Sequence, residues 1–220
     1  MQYIYSQGGR YFWIHNTGPV GCLPYVLDRV PVLAGQIDKY GCASPFNEVA
    51  QFFNHGLKKA VEQLRKDLSH AAITYVDVYD VKFSLISQGR NHGESTQNFL
   101  TLVKLLNNQN CMKMQRSSNG FIIGLCWQGL YENAGFNQPL RACCGHGGKY
   151  NYNKKLGCGG KISKHGKEVL LGAPCKDPST HVNWDGVHFT QAANQYIFER
   201  IVDGSFSDPP NPLNMACHRN

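Results

Sequence analysis

Residues 44–78 read SPFNEVAQFFNHGLKKAVEQLRKDLSHAAITYVDV and join a long helix pattern to a short strand pattern. Ser44 is expected to cap the helix and Pro45 to occupy its first position, because both residue types are favoured there. Apolar residues then recur at helical spacings of three and four, namely Phe46, Val49, Phe53, Leu57, Ala60, Leu64 and Leu68. Residues 71–78, AAITYVDV, follow as a buried strand.

The same alternation extends to both sides of this stretch. Upstream, residues 10–16, RYFWIHN, predict a buried strand that follows a short helix ended by Gly8 and Gly9. The turn Asn16-Thr17-Gly18 is expected to be a polar exit from that strand. Downstream, VYDVKFSLISQ predicts a further helix. Strand, helix, strand and helix in this order predict an α/β fold with parallel strands.

The last third of the chain reads differently. Residues 135–178 are rich in Gly, Lys and Cys with little periodicity, which predicts a long loop region tied by disulfides. Thr190 is expected to cap a final helix. Its buried face would consist of Ala193, Ile197, Phe198 and Ile201. The Pro-rich tail from residue 208 onward is expected to be extended.

Composition limits the classes of function. The net charge of +7 comes from 22 basic and 15 acidic residues, and the basic residues form no run. Dispersed charge indicates a solvated surface, so no nucleic-acid partner is expected. No apolar run reaches the roughly 18 residues of a membrane span. With 220 residues and 42% hydrophobic content, a single domain is expected over 1–220.

Cysteine usage favours an oxidising compartment, since the chain has nine cysteines, of which Cys143 and Cys144 are adjacent. With His146 nearby, this pair could alternatively form a nucleophile or a metal site. Adjacent cysteines do not easily bind one tetrahedral zinc, and Cys158 and Cys175 stand alone. Disulfides are therefore favoured, and no metal or cofactor is expected. Residues 1–10 have no signal-peptide pattern.

Asp185 and His188 stand three residues apart in NWDGVHF, just before the final helix. This spacing lets the carboxylate reach Nδ1 of the ring and leaves Nε2 free to act as a base. The alternative is an Asx-turn beside a histidine that is satisfied by backbone groups. The motif alone does not separate the two interpretations.

Five stretches together carry a family resemblance: GPVGCLP, FNEVAQFFNHGLKKAVEQLR, ITYVDVY, ACCGHGGKYN and NWDGVHFTQAANQYIF. In this order they resemble the plant GDSL-type esterase/lipases of the SGNH hydrolase superfamily, and FSDPP and MACH resemble its early-nodulin-like branch. The resemblance implies a flavodoxin-like three-layer fold, a secreted protein and a carboxylic ester hydrolase that forms a serine acyl-enzyme. Its substrates would be small-molecule or lipid esters.

By this resemblance Asp185 would orient His188, which would take the proton of the serine and return it to the leaving alcohol. The GDS and G-x-N-D motifs of the family do not occur in the sequence. The expectation is therefore a C-terminal portion that lacks the nucleophile and the oxyanion Gly and Asn. Ser6, Ser84 and Ser87 fall in predicted helices and are not expected to substitute.

Two functional hypotheses follow from these motifs. Without a nucleophile, the chain as written is expected to be inactive as an esterase. The alternative is a non-catalytic pseudoenzyme that binds an ester or a glycan. A partial sheet would also expose apolar edges, so the chain is expected to aggregate.

Residues 94–134 interrupt the family pattern. One hypothesis is an intron retained in frame, because Gly93-Glu94-Ser95 can be encoded with a splice-donor sequence and Ala134-Gly135 with a splice acceptor. The other is a lid loop built on FLTLVKLL and FIIGLCW. In either case Cys111 and Cys126 are not assigned to the disulfides of the conserved part.

The retained-intron hypothesis predicts that the mature transcript lacks the codons for residues 94–134. Sequencing of spliced mRNA across the Gly93 to Gly135 region checks it, with genomic DNA as the matched control. Genomic DNA without GT and AG at the two borders would rule the hypothesis out and leave the lid as the explanation.

Overall fold

The computed structural model describes residues 1–88 and 135–216, so the predicted insertion at 94–134 lies outside the described residues. The elements are α1 Gln2–Ser6, β1 Tyr11–His15, α2 Pro24–Arg29, α3 Ser44–Asp67, β2 Ala72–Val76, α4 Val78–Ser87, β3 Lys161–Lys164, β4 Lys167–Leu170, α5 Gln191–Ile201 and β5 Ser207–Asp208. Short 3-10 turns lie at Val20–Cys22, Ala34–Gln36, Pro178–Thr180 and Leu213–Met215.

The main sheet has the order β1-β2-β5. β1 and β2 run parallel, with Tyr11 opposite Ala72 and His15 opposite Val76, which confirms the predicted parallel α/β arrangement. β5 adds to β2 in the antiparallel direction and was not predicted. A strand of two residues in a Pro-rich tail has no period from which it could be recognised.

Helices cover both faces of this sheet, as the alternation of strand side chains requires. On one face, Phe12, Ile14, Ile73 and Tyr75 pack with Val61 of α3. On the other, Val76 of β2 belongs to a cluster with residues of α4 and α5: Val78, Val81, Leu85, Ala193, Ile197 and Ile201. The layers are therefore α3, sheet, and α4 with α5, in agreement with the predicted three-layer fold.

The buried face of α3 differs from the predicted stripe. Val49 and Phe53 are 66% and 56% exposed. The predicted Ala60 is exposed as well, whereas the predicted Phe46, Leu57, Leu64 and Leu68 are buried or half-buried. The residues that the prediction missed on the buried face are Asn47, Ala50, Asn54 and Val61. The helix also begins at Ser44, so Ala43, and not Ser44, occupies the N-cap position, and no side-chain cap forms.

Hydrogen bonds explain why two asparagines replace apolar residues on that face. Asn54 accepts from the amide of Thr17 and donates to its carbonyl oxygen, both at 2.8 Å. Asn47 accepts from the amide of Gly21 at 2.9 Å. Because these bonds satisfy backbone groups of the loop after β1, the asparagines are buried without an unpaired polar group.

Strand β1 is less buried than predicted. Tyr11 and His15 are exposed and the three residues between them are half-buried. Within the described residues β1 pairs with β2 alone, so its other edge is open. Whether the chain aggregates through this edge stays a prediction.

The final helix agrees with the prediction except at one position. Thr190 caps it by accepting from the amide of Ala193 at 3.2 Å. Ala193, Ile197 and Ile201 are buried, whereas Phe198 is 49% exposed. Phe198 follows Ile197 by one residue, and consecutive helical residues point about 100° apart. No helix in the described parts of the chain is long and apolar enough to span a bilayer.

Within the described residues, three disulfides join Cys22 to Cys42, Cys143 to Cys175 and Cys144 to Cys158. They confirm the prediction that residues 135–178 are tied by disulfides. The same region also contains the exposed hairpin of β3 and β4, which the sequence did not indicate.

Asn54→Ala is predicted to lower the free energy of unfolding by about 1–3 kcal/mol, because it leaves the amide and carbonyl of Thr17 without their partner. His55→Ala, an exposed change on the same helix, is the control and should shift stability by less than about 0.5 kcal/mol. Urea unfolding measures both, and hydrogen exchange at the Thr17 amide reports the local change. Equal effects of the two variants would contradict this role of Asn54.

Candidate active site

Asp185 and His188 form a compact loop before α5. Oδ1 of Asp185 accepts from the backbone amides of Val187 at 3.0 Å and His188 at 2.8 Å. Its Oδ2 lies 2.7 Å from Nδ1 of His188. The Asx-turn and the carboxylate–imidazole contact, treated as alternatives in the sequence, are both present. One oxygen fixes the turn and the other faces the ring.

Gly186 is required between them for steric reasons. Its φ is +101°, and a Cβ at this position would lie 2.4 Å from the Tyr152 ring. Its carbonyl accepts from the amide of Tyr25 at 3.1 Å. The glycine therefore lets the loop turn closely over Tyr152 while α2 holds it from the other side.

The disulfide region supports the start of the loop. The amide of Cys143 donates to the carbonyl of Asn183 at 2.9 Å, and that of Cys144 to the carbonyl of Trp184 at 2.6 Å. Both cysteines are disulfide-bonded, to Cys175 and Cys158. Asp185 follows directly, so its position depends on this pairing.

The environments of the two side chains differ. The side chain of His188 is 75% exposed and that of Asp185 is 25% exposed. Partial burial raises the pKa of Asp185, but hydrogen bonds from the backbone and ring of His188 and from the Val187 amide outweigh it. The pKa of Asp185 therefore lies below its ordinary value. An ionised Asp185 can hold a proton on Nδ1 and leave Nε2 as a base.

His188 borders a pocket of about 350 Å³. Its lining consists of Thr17, Gly18, Pro19, Val20, Leu23, Lys82, Val187, His188, Phe189 and Asn194. The first four belong to the loop that leaves the carboxyl end of β1, where ligands bind in parallel sheets. The turn that was predicted to be a polar strand exit contributes Thr17 and Gly18 to this pocket.

Asn16 fixes that loop to the neighbouring strand end. It donates to Oδ1 of Asp77 at 2.8 Å and accepts from the amide of Tyr79 at 2.9 Å. With the bonds of Asn54 to Thr17, polar side chains hold the loop on two sides. Their signal in the sequence was the polar Asn16-Thr17 step directly after an apolar strand.

The three serines considered in the sequence lie in helices and donate to carbonyls of their own helix. The bonds run from Ser6 to Tyr3, from Ser84 to Val81 and from Ser87 to Phe83. None of them lines the pocket. Among the described residues that line it, Thr17 alone carries a hydroxyl.

Cys143, Cys175 and His181 place potential ligand atoms within 4.8 Å of one another. Cys143 and Cys175 are joined in a disulfide, however, and zinc binds the thiolate form of cysteine. As they stand, these residues do not offer a metal-ligand set.

Lys82 of α4 also lines the pocket, and no sequence motif pointed to it. Its Nζ lies 5.4 Å from the centroid of the Phe189 ring. Burial lowers the pKa of Lys82 from its ordinary value. The pocket thus has the Asp185–His188 contact at its rim and a partly buried lysine in its lining.

Comparisons with known proteins agree on one family. The model of GDSL-like lipase/acylhydrolases matches residues 1–201. A GDSL esterase/lipase of Arabidopsis thaliana is 47% identical over 98% of this chain and 46% of its own length. Alpha-L-fucosidase 3 of the same plant is 47% identical over 98% of this chain and 45% of its own length. The GDSL esterase/lipase ENOD8 of Medicago truncatula is 41% identical over 98% of this chain and 44% of its own length.

The chain therefore spans about half the length of the curated relatives it matches. No solved structure matches it.

Asp185→Ala is predicted to change the preferred tautomer of His188. With the carboxylate present, neutral His188 should carry its proton on Nδ1; without it, the proton should move to Nε2. Nitrogen-15 NMR of labelled histidine measures this, with Asp203→Ala, an exposed carboxylate that bonds Ser205, as control. An unchanged tautomer in Asp185→Ala would contradict the orienting role.

The same contact should depend on pH in one direction. The folded-state pKa of Asp185 is lowered. The stability that the ionised carboxylate contributes is therefore complete above its unfolded pKa of about 3.9 and is lost as pH falls through the folded pKa. The difference in the free energy of unfolding between the wild-type chain and Asp185→Ala should therefore shrink only in acid, and urea unfolding at a series of pH values measures it.

Proposed function

The chain belongs to the GDSL-like lipase/acylhydrolase family, and from this we propose that it serves the hydrolysis of carboxylic esters, with Asp185 and His188 as the acid–base pair of a serine acyl-enzyme mechanism. The observation that carries the proposal is the 2.7 Å contact between Oδ2 of Asp185 and Nδ1 of His188 beside an open pocket. This arrangement matches the two roles that the mechanism needs from a base and its orienting acid.

In the proposed reaction, Nε2 of His188 takes the proton of a serine hydroxyl while the serine oxygen attacks the ester carbonyl. His188 then returns the proton to the leaving alkoxide as the acyl-enzyme forms. In the second half, His188 takes a proton from water while the water oxygen attacks the acyl carbonyl, and it returns that proton to the serine oxygen as the carboxylic acid is released. Asp185 stays ionised throughout and stabilises the imidazolium that forms twice.

We place the nucleophile and the oxyanion Gly and Asn outside the 220 residues of this chain. The positions of Ser6, Ser84 and Ser87 support this, because each hydroxyl is bonded within its own helix and away from the pocket. On this proposal, the chain alone does not hydrolyse esters. A non-catalytic protein that binds an ester or a glycan is the alternative outcome.

The pocket favours ester over glycoside hydrolysis, although one relative is named a fucosidase. Most glycosidases use two carboxyl groups that flank the sugar bond. The described pocket lining includes no carboxylate, and Asp185 is occupied by the turn and by His188. The site therefore fits a histidine base that activates a hydroxyl group better than it fits a glycosidase's pair of carboxyl groups.

The proposed location is extracellular, and the proposed partner is a small-molecule or lipid ester. Three disulfides among the described residues support an oxidising compartment, because such bonds persist there. A pocket of about 350 Å³ is of the size that accepts small ligands. Nucleic acid is not part of the proposal.

The test is co-expression of this chain with the part of the Arabidopsis esterase/lipase relative that it does not match. The pair is predicted to hydrolyse p-nitrophenyl butyrate, and His188→Ala should reduce kcat by about a thousandfold or more. Asp203→Ala is the matched control and should keep the full rate. The chain alone should show no rate above buffer.

Two results would decide against the proposal in different ways. A rate from the chain alone that disappears in both His188→Ala and Thr17→Val would place the nucleophile inside the chain, at Thr17. A co-expressed pair that associates and binds esters but does not hydrolyse them would favour the pseudoenzyme.

A further inference from the structure

We propose that Lys82 forms an anion subsite in the pocket beside His188, so that the preferred ester carries a free carboxylate on its acyl or alcohol part. This inference rests on the proposed function for the identity of the reacting group. Its physical basis is separate and lies in the placement of one cation.

The side chain of Lys82 is held against two sides of the pocket. A Cβ placed on Gly18 would lie 2.8 Å from its Cδ and 3.6 Å from its Nζ, so the absence of a side chain at Gly18 makes room for it. On the other side, Nζ faces the Phe189 ring at 5.4 Å from the centroid. The ammonium group therefore lies between the loop after β1 and the residue that follows His188.

Among the described residues, no acidic group pairs with the Lys82 ammonium. Within residues 1–88 and 135–216, no carboxylate lies within 4 Å of Nζ of Lys82. Burial lowers the pKa of Lys82. The pKa of the nearby His15 is lowered mainly by its own partial burial and, to a smaller extent, by the charge of Lys82. A partly desolvated cation without a counter-ion costs free energy, which a bound anion would offset.

The position of this cation determines the class of ligand. Lys82 lines the same pocket as His188, together with the apolar side chains of Val20, Leu23 and Phe189. An ester with a short apolar spacer and a terminal carboxylate would place its anion at Lys82 and its carbonyl near His188. The contact with Phe189 supplies only weak compensation for the charge, because cation–π pairs are weaker than a charge-assisted hydrogen bond.

The experiment compares two probes of nearly equal shape. Monomethyl succinate is an anion at neutral pH, and dimethyl succinate is neutral. NMR titration of the full chain, followed at the His188 ring, measures both dissociation constants without turnover. The wild-type chain is expected to bind the monoester about tenfold more tightly than the diester.

Three variants separate a specific subsite from general attraction. Lys82→Met should abolish the preference, Lys82→Arg should retain it, and Lys149→Met should leave it unchanged. Lys149 is the matched control because its Nζ also faces an aromatic ring, that of Tyr150 at 5.2 Å, but it does not line the pocket. The Nδ1 proton of His188 shows whether each variant is folded.

The proposal is overturned if the wild-type chain shows no preference, if it binds neither probe, or if Lys82→Met keeps the preference. Loss in Lys149→Met as well would show attraction by net charge alone. If the chain associates with itself, the same comparison is made as a ratio of kcat/KM on the co-expressed pair. Preferred binding of the monoester by the chain, together with no hydrolysis by the co-expressed pair, would keep the subsite and reject the esterase activity. Hydrolysis by the pair without preferred binding of the monoester would do the reverse.

Discussion

The backbone pairing between Cys143-Cys144 and Asn183-Trp184 is the constraint on which the site depends. Two amide-to-carbonyl bonds join these segments, and both cysteines are cross-linked to distant parts of their own loop region. That region offers few apolar side chains to a core, and its hairpin is exposed. Covalent bonds therefore supply the rigidity that packing supplies elsewhere. They fix Cys143 and Cys144, whose backbone bonds to Asn183 and Trp184 position Asp185.

How much of this could be predicted differs between the framework and the site. The long helix, its neighbouring strands and their parallel pairing follow from local periodicity, and the structure agrees. The predicted buried face of α3 differs from the observed one because the sequence pattern counts only apolar residues, whereas the helix also buries Asn47 and Asn54. Those asparagines bind backbone groups of a loop about 30 residues away in sequence, and no local pattern reports such a bond.

The candidate site shows the same division. Asp185 and His188 are close in sequence, so their contact could be anticipated from spacing, and both proposed geometries turned out to coexist. Thr17 and Lys82 reach the same pocket from a strand end and from α4. Their contribution arises from tertiary packing. A lysine in an amphipathic helix has no feature in the sequence that separates it from a solvated one.

The cross-links also set the order in which the site can form during folding. Strand pairing and helix packing need no change in covalent bonding, whereas disulfide formation needs an oxidant and takes seconds to hours. The sheet and its helices can therefore assemble first, while the His188 loop gains its final orientation only after Cys143 and Cys144 have been oxidised. Formation of the site is then coupled to the oxidation of these cysteines, although no cysteine takes part in the proposed chemistry.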